Sequence, residues 1–229
     1  MASKSSRNEF LEHVRLFSGV HPFRLRRIAG SAIEVTARRG KIILQPGDTC
    51  SGIFLVWYGQ IKLALKGAGR SEKVIDVIQT GRAFGLASLA SEQQYQAEAR
   101  ALTETKLLFI PHEAILTELD ENPRFARDLL AALSETVQRL TADLRACTLQ
   151  TARQRVADFL LRSTENAGAS HDQHVVLATS KVVLASRLNI TAEHLSRILS
   201  EFVKARLIRL IQNAIVIEDQ ARLHAQLRG

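Results

Sequence analysis

Glu193, Ser196 and Arg197 fall within about one turn of a segment otherwise patterned as a helix, and their types suit reading DNA bases. Arginine binds guanine O6 and N7 bidentately, glutamate accepts from cytosine N4, and serine bonds to or packs against a base edge. The elements that would position them are written around them, in Ser180–Phe202, SKVVLASRLNITAEHLSRILSEF. Val182, Val183, Leu184 and Leu188 make the apolar side of a first helix, with small Ala185 at a close approach. Asn189 tolerates the left-handed backbone of a tight turn, and Thr191 is an expected N-cap. Leu195, Ile198, Leu199 and Phe202 then form one buried stripe at helical spacing, leaving Glu193, Ser196, Arg197 and Ser200 on the opposite face. Spacing alone fits equally well an amphipathic hairpin with a solvated polar face.

The 229 residues carry a formal net charge of +8, which favours an anionic partner such as nucleic acid, although the charge is only modestly denser towards the C-terminus. The longest apolar run, Ile53–Tyr58, is too short to span a membrane, and MASKSSRNEF has no apolar signal-peptide core and reads as a frayed polar start. Cys50 and Cys147 lie far apart without CxxC spacing, which fits packed small side chains in a reducing cytoplasm.

Three regions follow along the chain. Phe10–Ile33 shows short helical patterns, FLEHVRLF and PFRLRRIAGSAI. From Arg39 to Ile110, runs rich in β-branched and aromatic residues alternate with turns at Pro46-Gly47-Asp48, Gly67–Gly69 and Gly81, which predicts an antiparallel sandwich or jelly roll. GAGR at Gly67–Arg70 lacks the third glycine of a dinucleotide fingerprint and the Gly-Lys-Ser/Thr of a Walker loop, so it reads as a hairpin tip. From Pro123 the chain runs to Asn166 without proline or glycine, and Leu130, Leu133, Val137, Leu140 and Leu144 recur at 3-4-3-4 spacing, weakening at Cys147 and Thr151. That heptad favours a seam between two subunits over a helix packed on its own sheet, which does not require the period. A helix over Ala152–Ser163, a polar loop TENAGASHDQH and a hairpin turning at Gln212-Asn213 complete the pattern; His171 and His174 lack the further ligands a metal site needs. The architecture expected is α+β: a sensor jelly roll over 1–122, a dimerisation helix over 123–147 and a winged helix-turn-helix over 148–229.

This order, with Gly40, Gly47, Gly59, Gly81 and Gly85 at the turns and ITAEHLSRIL in the second helix, resembles the cyclic-AMP receptor/fumarate-nitrate regulator (CRP/FNR) superfamily of bacterial transcription factors, roughly from Leu16 to Leu223. The resemblance implies a cytoplasmic homodimer that places two recognition helices in successive major grooves of a palindrome. Glu193, Ser196 and Arg197 match the FNR-like branch, implying TTGAT-NNNN-ATCAA as the site, with Lys181, Thr191, Lys204 and Arg206 as phosphate contacts. The loop Glu165–His174 lies where activators of the family touch RNA polymerase.

Departures from the family bear on the signal. Members that bind cyclic nucleotides carry Gly-Glu-Leu and, about ten residues on, Arg-Ser or Arg-Thr to hold ribose and phosphate. Here Leu86 follows Gly85, and Tyr95 and Gln96 stand at the Arg and Ser positions, with Arg100 displaced nearby, so cyclic AMP is not expected. The family's oxygen sensors that carry an iron–sulfur cluster need four cysteine ligands, three of them in an N-terminal cluster, and none precedes Cys50. Haem sensing nitric oxide remains open, with His13 or His21 as axial candidates and His112 less suited, as does a regulator with no ligand, controlled by its own expression level. A cupin-like metalloenzyme is disfavoured because Gly40–Ile110 contains no histidine, and a regulatory subunit that binds protein and not DNA is disfavoured by the wing and Arg197.

Overall fold

The computed structural model describes residues 4–69, 71–89, 94–165, 174–176, 180–211 and 214–227, the side chains of residues 4, 5, 165 and 174–176 excepted. The chain divides into two compact units, Met1–Leu140 and Thr141–Gly229.

The first unit opens with α1 (Lys4–Glu12) and α2 (Pro22–Ser31), followed by β1 (Ile33–Ala37), β2 (Ile42–Leu44), β3 (Gly52–Tyr58), β4 (Ile61–Lys66), β5 (Glu72–Ile78), β6 (Ala83–Phe84), β7 (Glu98–Ala101) and β8 (Thr105–Pro111). The N-terminal segment is therefore not frayed from Lys4 onward: α1 is anchored by Arg7, whose Nη1 donates to Ala32 O at 2.6 Å, and by buried Leu11. The strands form two antiparallel four-stranded sheets, β1-β8-β3-β6 and β2-β7-β4-β5, the jelly roll that the turn spacing predicts. Phe54, Val56, Ile61, Phe84, Tyr95, Ala99 and Leu107 share one buried cluster. A second cluster joins α1, the turn after it and α2, through Leu11, Phe17, Leu25 and Ile28, to Ile53, Leu55, Leu108 and Ile110. α3 (His112–Glu121) packs there through Ile115, as does the first part of α4 (Pro123–Leu149) through Phe125 and Leu129. Asn122 Oδ1 caps α4 by accepting from the N–H groups of Arg124 and Phe125.

The second unit holds the end of α4, α5 (Ala152–Glu165), β9 (His174–Val176), α6 (Lys181–Arg187), α7 (Ala192–Lys204), β10 (Ile208–Ile211), β11 (Ala214–Ile217) and α8 (Gln220–Ala225). Its core comprises Val156, Leu160, Leu184, Leu195, Leu199, Phe202, Ile215 and Leu223, among others. Thr151 is not a further seam position. It makes a capping box for α5, its N–H donating to Gln154 Oε1 and its hydroxyl accepting from Gln154 N–H. No helix among the described residues is long and apolar enough to cross a membrane.

Candidate nucleic-acid interface and sensor core

α6 and α7 form the two helices of the turn motif, and local chemistry fixes both. Ser180 caps α6 by accepting from Val183 N–H, and Thr191 caps α7 by accepting from His194 N–H at 3.1 Å. Such caps are each worth about 1 kcal/mol. Asn189 takes the left-handed conformation at φ 57°, as a turn this tight demands. Leu195, Ile198, Leu199 and Phe202 are buried, which turns Glu193, Arg197 and Ser200 to solvent with Ser196 half-buried between them. Among the described residues, the side chains of Glu193 and Arg197 have no hydrogen-bond or ion-pair partner. Lys181, Thr191, Lys204 and Arg206 are exposed as well. Val182 departs from the expected pattern. It is 66% exposed in the first turn of α6, because Leu184 and Ala185 already occupy the side that packs against α7.

β10 and β11 pair antiparallel from Ile208↔Ile217 to Ile211↔Ala214, and β9 adds a third strand beside β11, giving the winged arrangement. The turn at Gln212-Asn213 lies outside the described residues, as do residues 166–173 of the polar loop, His171 included.

Along α4, Leu130, Val137, Leu140 and Leu144 are 64%, 62%, 41% and 65% exposed in the isolated chain. Leu133 differs from them: it is half-buried and packs against the sensor core.

In the sensor, Gly85 sits at φ 90°, and a Cβ there would stand 3.1 Å from Tyr95 Cε1 and 3.3 Å from Gly52 O. Tyr95 is buried, and its hydroxyl donates to Gly52 O at 2.6 Å. Burial, with Cys50 beside it, pushes the phenol pKa up to about 12, so the ring stays a neutral donor. Leu86 packs against the α1–α2 core, and Gln96 is exposed, bonding Gln94 O. Arg100 does not join them. β7 alternates, with Ala99 and Ala101 in the buried cluster, whereas Arg100 Nε donates to Glu98 Oε1 at 2.8 Å and Nη1 to Gly40 O. Glu98 is also paired with Lys66 at 3.1 Å, and Lys66 with Glu72. Burial works to raise the Glu98 pKa, but the hydrogen bonds from Arg100 and Lys66 outweigh it and hold the carboxyl below its ordinary range. The arginine that could have met a phosphate is thus already neutralised.

His13 and His21 lie outside the buried clusters. His13 is exposed with Nδ1 on Glu9 O, and His21 is exposed as the N-cap of α2, its Nδ1 accepting from Phe23 N–H. A haem needs an axial donor facing an apolar cavity. These two rings are engaged locally at the surface, so they do not fit that role. His112 is half-buried at the start of α3. Among the described residues, no group of three or more His, Cys, Asp and Glu could hold a metal ion.

Two charged side chains make contacts that the sequence does not signal. Asp76 on β5, only 2% exposed, binds Arg82 at 3.1 Å and Arg139 of α4 at 3.0 Å, pinning sheet to helix. Arg153 on α5 donates to Glu201 on α7 at 2.6 Å and to Gln226 at 2.9 Å. Neither pair has a local signature.

Comparison with known proteins agrees with this layout. The cyclic nucleotide-binding domain family matches residues 34–122, and the Crp-like helix-turn-helix domain family matches residues 154–226. The CRP-like cAMP-activated global transcriptional regulator of Mycobacterium tuberculosis is 21% identical over 96% of this chain and 100% of its own length. The nitrogen fixation regulation protein FixK of Azorhizobium caulinodans is 26% identical over 86% of this chain and 79% of its own. The solved structure of FixK2 from Bradyrhizobium japonicum superposes with a TM-score of 0.77 at 20% identity, covering 85% of this chain and 96% of that one, a likeness of fold. With both of its domains matched in this order, and with relatives along nearly its whole length, the chain belongs to the CRP/FNR superfamily of transcription regulators.

Proposed function

We propose that the protein acts in the cytoplasm as a homodimer that binds a TTGAT-NNNN-ATCAA palindrome, with Glu193, Ser196 and Arg197 reading bases in each half-site. The observation that carries this reading is the face of α7, where Glu193 and Arg197 are exposed and unengaged while the opposite stripe is wholly buried. A solvated amphipathic hairpin does not call for a capped turn and a three-stranded wing beside it. Lys181, Thr191, Lys204 and Arg206 contact phosphates, and Leu130, Leu133, Val137, Leu140 and Leu144 pair the two α4 helices around the two-fold axis. RNA polymerase is the further partner if the loop 165–174 acts as it does in activators. Selection from random DNA tests the base-reading assignment: TTGAT half-sites are expected, and TGTGA half-sites overturn it.

The signal is not a cyclic nucleotide in this reading. Supporting it are Leu86 in place of an acid, the buried Tyr95 hydroxyl bonded to Gly52 O, and Arg100 held by Glu98. A phosphate there would be buried without a free cation, at a cost of several kcal/mol. The exposed, locally bonded His13 and His21 give no support to haem. The packing of Tyr95 into the roll favours a second reading, a regulator without a ligand whose output follows its own concentration.

A further inference from the structure

Arg155, on the first turn of α5, reaches the C-terminal ends of two other helices with one guanidinium. Nη1 donates to Gln150 O at 2.7 Å, one residue beyond α4. Nε donates to Leu188 O at 2.8 Å, the C-cap of α6, and Nη2 to Asn189 O at 3.4 Å. The last carbonyls of a helix lack intrahelical partners and carry the negative end of its dipole, so a cation shared between two such ends holds them together. A planar fork with fixed donor directions also sets the angle between them, which a flexible ammonium cannot do.

The carbonyls of Leu188 and Asn189 belong to the turn that delivers α7. Asn189 is left-handed, Ile190 N–H donates back to Ala185 O at 3.0 Å, and Thr191 caps α7 two residues after Asn189. A shift of the turn relative to Gln150 therefore becomes a shift of Glu193 and Arg197. Arg153 ties α5 to the other end of α7 through Glu201, so α7 is held near both ends from the first turn of α5.

We propose that Arg155 is a positioning residue: it fixes the recognition helix relative to the end of α4 and thereby sets which spacing between half-sites the dimer accepts. The proposal rests on the DNA-binding reading above. One base pair added to the spacer moves the second half-site by about 3.4 Å and turns it by roughly 35°, so a rigid dimer discriminates between spacers.

Duplexes with spacers from one base pair below to two above the optimum, and a single half-site, are titrated with the full chain by fluorescence anisotropy. The wild type is expected to lose at least about tenfold in affinity for a one-base-pair departure. Arg155→Gln is expected to flatten that series to below about threefold while keeping its half-site affinity within about threefold of wild type. A purely structural role lowers binding to every duplex alike and leaves the spacer profile intact, which overturns the proposal. Should Arg155→Gln fail to fold, Arg155→Lys takes its place. Its ammonium cannot span the carbonyls of both helices, so flattening is again expected, and a wild-type profile overturns the proposal. Wild-type protein that binds palindrome and scrambled DNA equally overturns the DNA-binding reading and this inference with it; a wild-type spacer preference retained in the variant read overturns this inference alone.

Discussion

Val137→Glu should convert the protein to a monomer without unfolding either unit. Val137, with Leu130, Leu140 and Leu144, is 41–65% exposed in the isolated chain, so burial on pairing recovers roughly half to two-thirds of what a fully buried aliphatic side chain gains, about 1–2 kcal/mol each. Summed over both helices the gross gain is on the order of 8–16 kcal/mol, set against an association cost of about 4–15 kcal/mol. The margin is therefore narrow. A glutamate at 137 forfeits the valine contribution twice and places two carboxylates in the seam unpaired, a further several kcal/mol. A loss of about 4 kcal/mol raises the dissociation constant roughly a thousandfold. Sedimentation velocity from nanomolar to micromolar concentration reads this directly, with the far-UV spectrum as a check that helix content is kept. Leu133 is a useful internal contrast, because it is half-buried against its own core and a charge there should destabilise the fold as well. Intact dimers in both Val137→Glu and Leu140→Glu would refute the seam.

Calorimetric titration with cyclic AMP or cyclic GMP at micromolar concentration should give no saturable heat; micromolar affinity would show that Arg100, leaving Glu98, or another base supplies the missing charge. Asp76→Ala should lower the urea unfolding free energy by about 2–4 kcal/mol, since it strips a buried carboxylate from Arg82 and Arg139, discounted because Arg82 is half exposed. A change under about 0.5 kcal/mol would mean that the pair does not pin α4 to the sheet. The hydrogen bond from Lys62 holds the Glu72 carboxyl below its ordinary 4.5, so the pair's contribution is full above about pH 5 and is lost as pH falls through the lower folded value. Lys62→Met should therefore flatten the acid side of a melting-temperature profile between pH 5 and 3; an unchanged slope would rule that linkage out.

What the sequence disclosed was local. The turn motif was legible because its cap, its left-handed asparagine and its buried stripe lie within 23 residues and each has a chemical signature. The heptad spacing of α4 is local in the same way, and Thr151, where the period weakens, belongs to the capping box of α5. Other elements left weaker marks. β7 reads EARA, with no β-branched residue, β6 is two residues long, and β1 follows α2 after a single residue, so none stands out by period. α1 begins in KSSRNEF, where charge hides a helix that tertiary contacts of Arg7 and Leu11 hold in place. In the sensor, Leu86, Tyr95 and Gln96 were named from the family pattern, but nothing local indicated that Tyr95 would reach Gly52, 43 residues away. Arg100 was legible in principle: residues two apart on a strand share a face, so Glu98 was its natural partner. The ties through Asp76, Arg153 and Arg155 depend on distant segments meeting, which no spacing rule predicts.

The most direct test of the central claim is an anisotropy titration of TTGAT-NNNN-ATCAA and of a scrambled duplex, at one fixed salt concentration, with wild type and Arg197→Ala. Two chains per palindrome and at least about a thousandfold preference over scrambled DNA are expected if α7 reads bases. Arg197→Ala should then lose roughly 1–3 kcal/mol per half-site on the palindrome and little on the scrambled duplex. Equal wild-type affinity for the two duplexes, or equal losses on both in the variant, would contradict that claim, because the exposed face of α7 would then contact phosphates without reading bases.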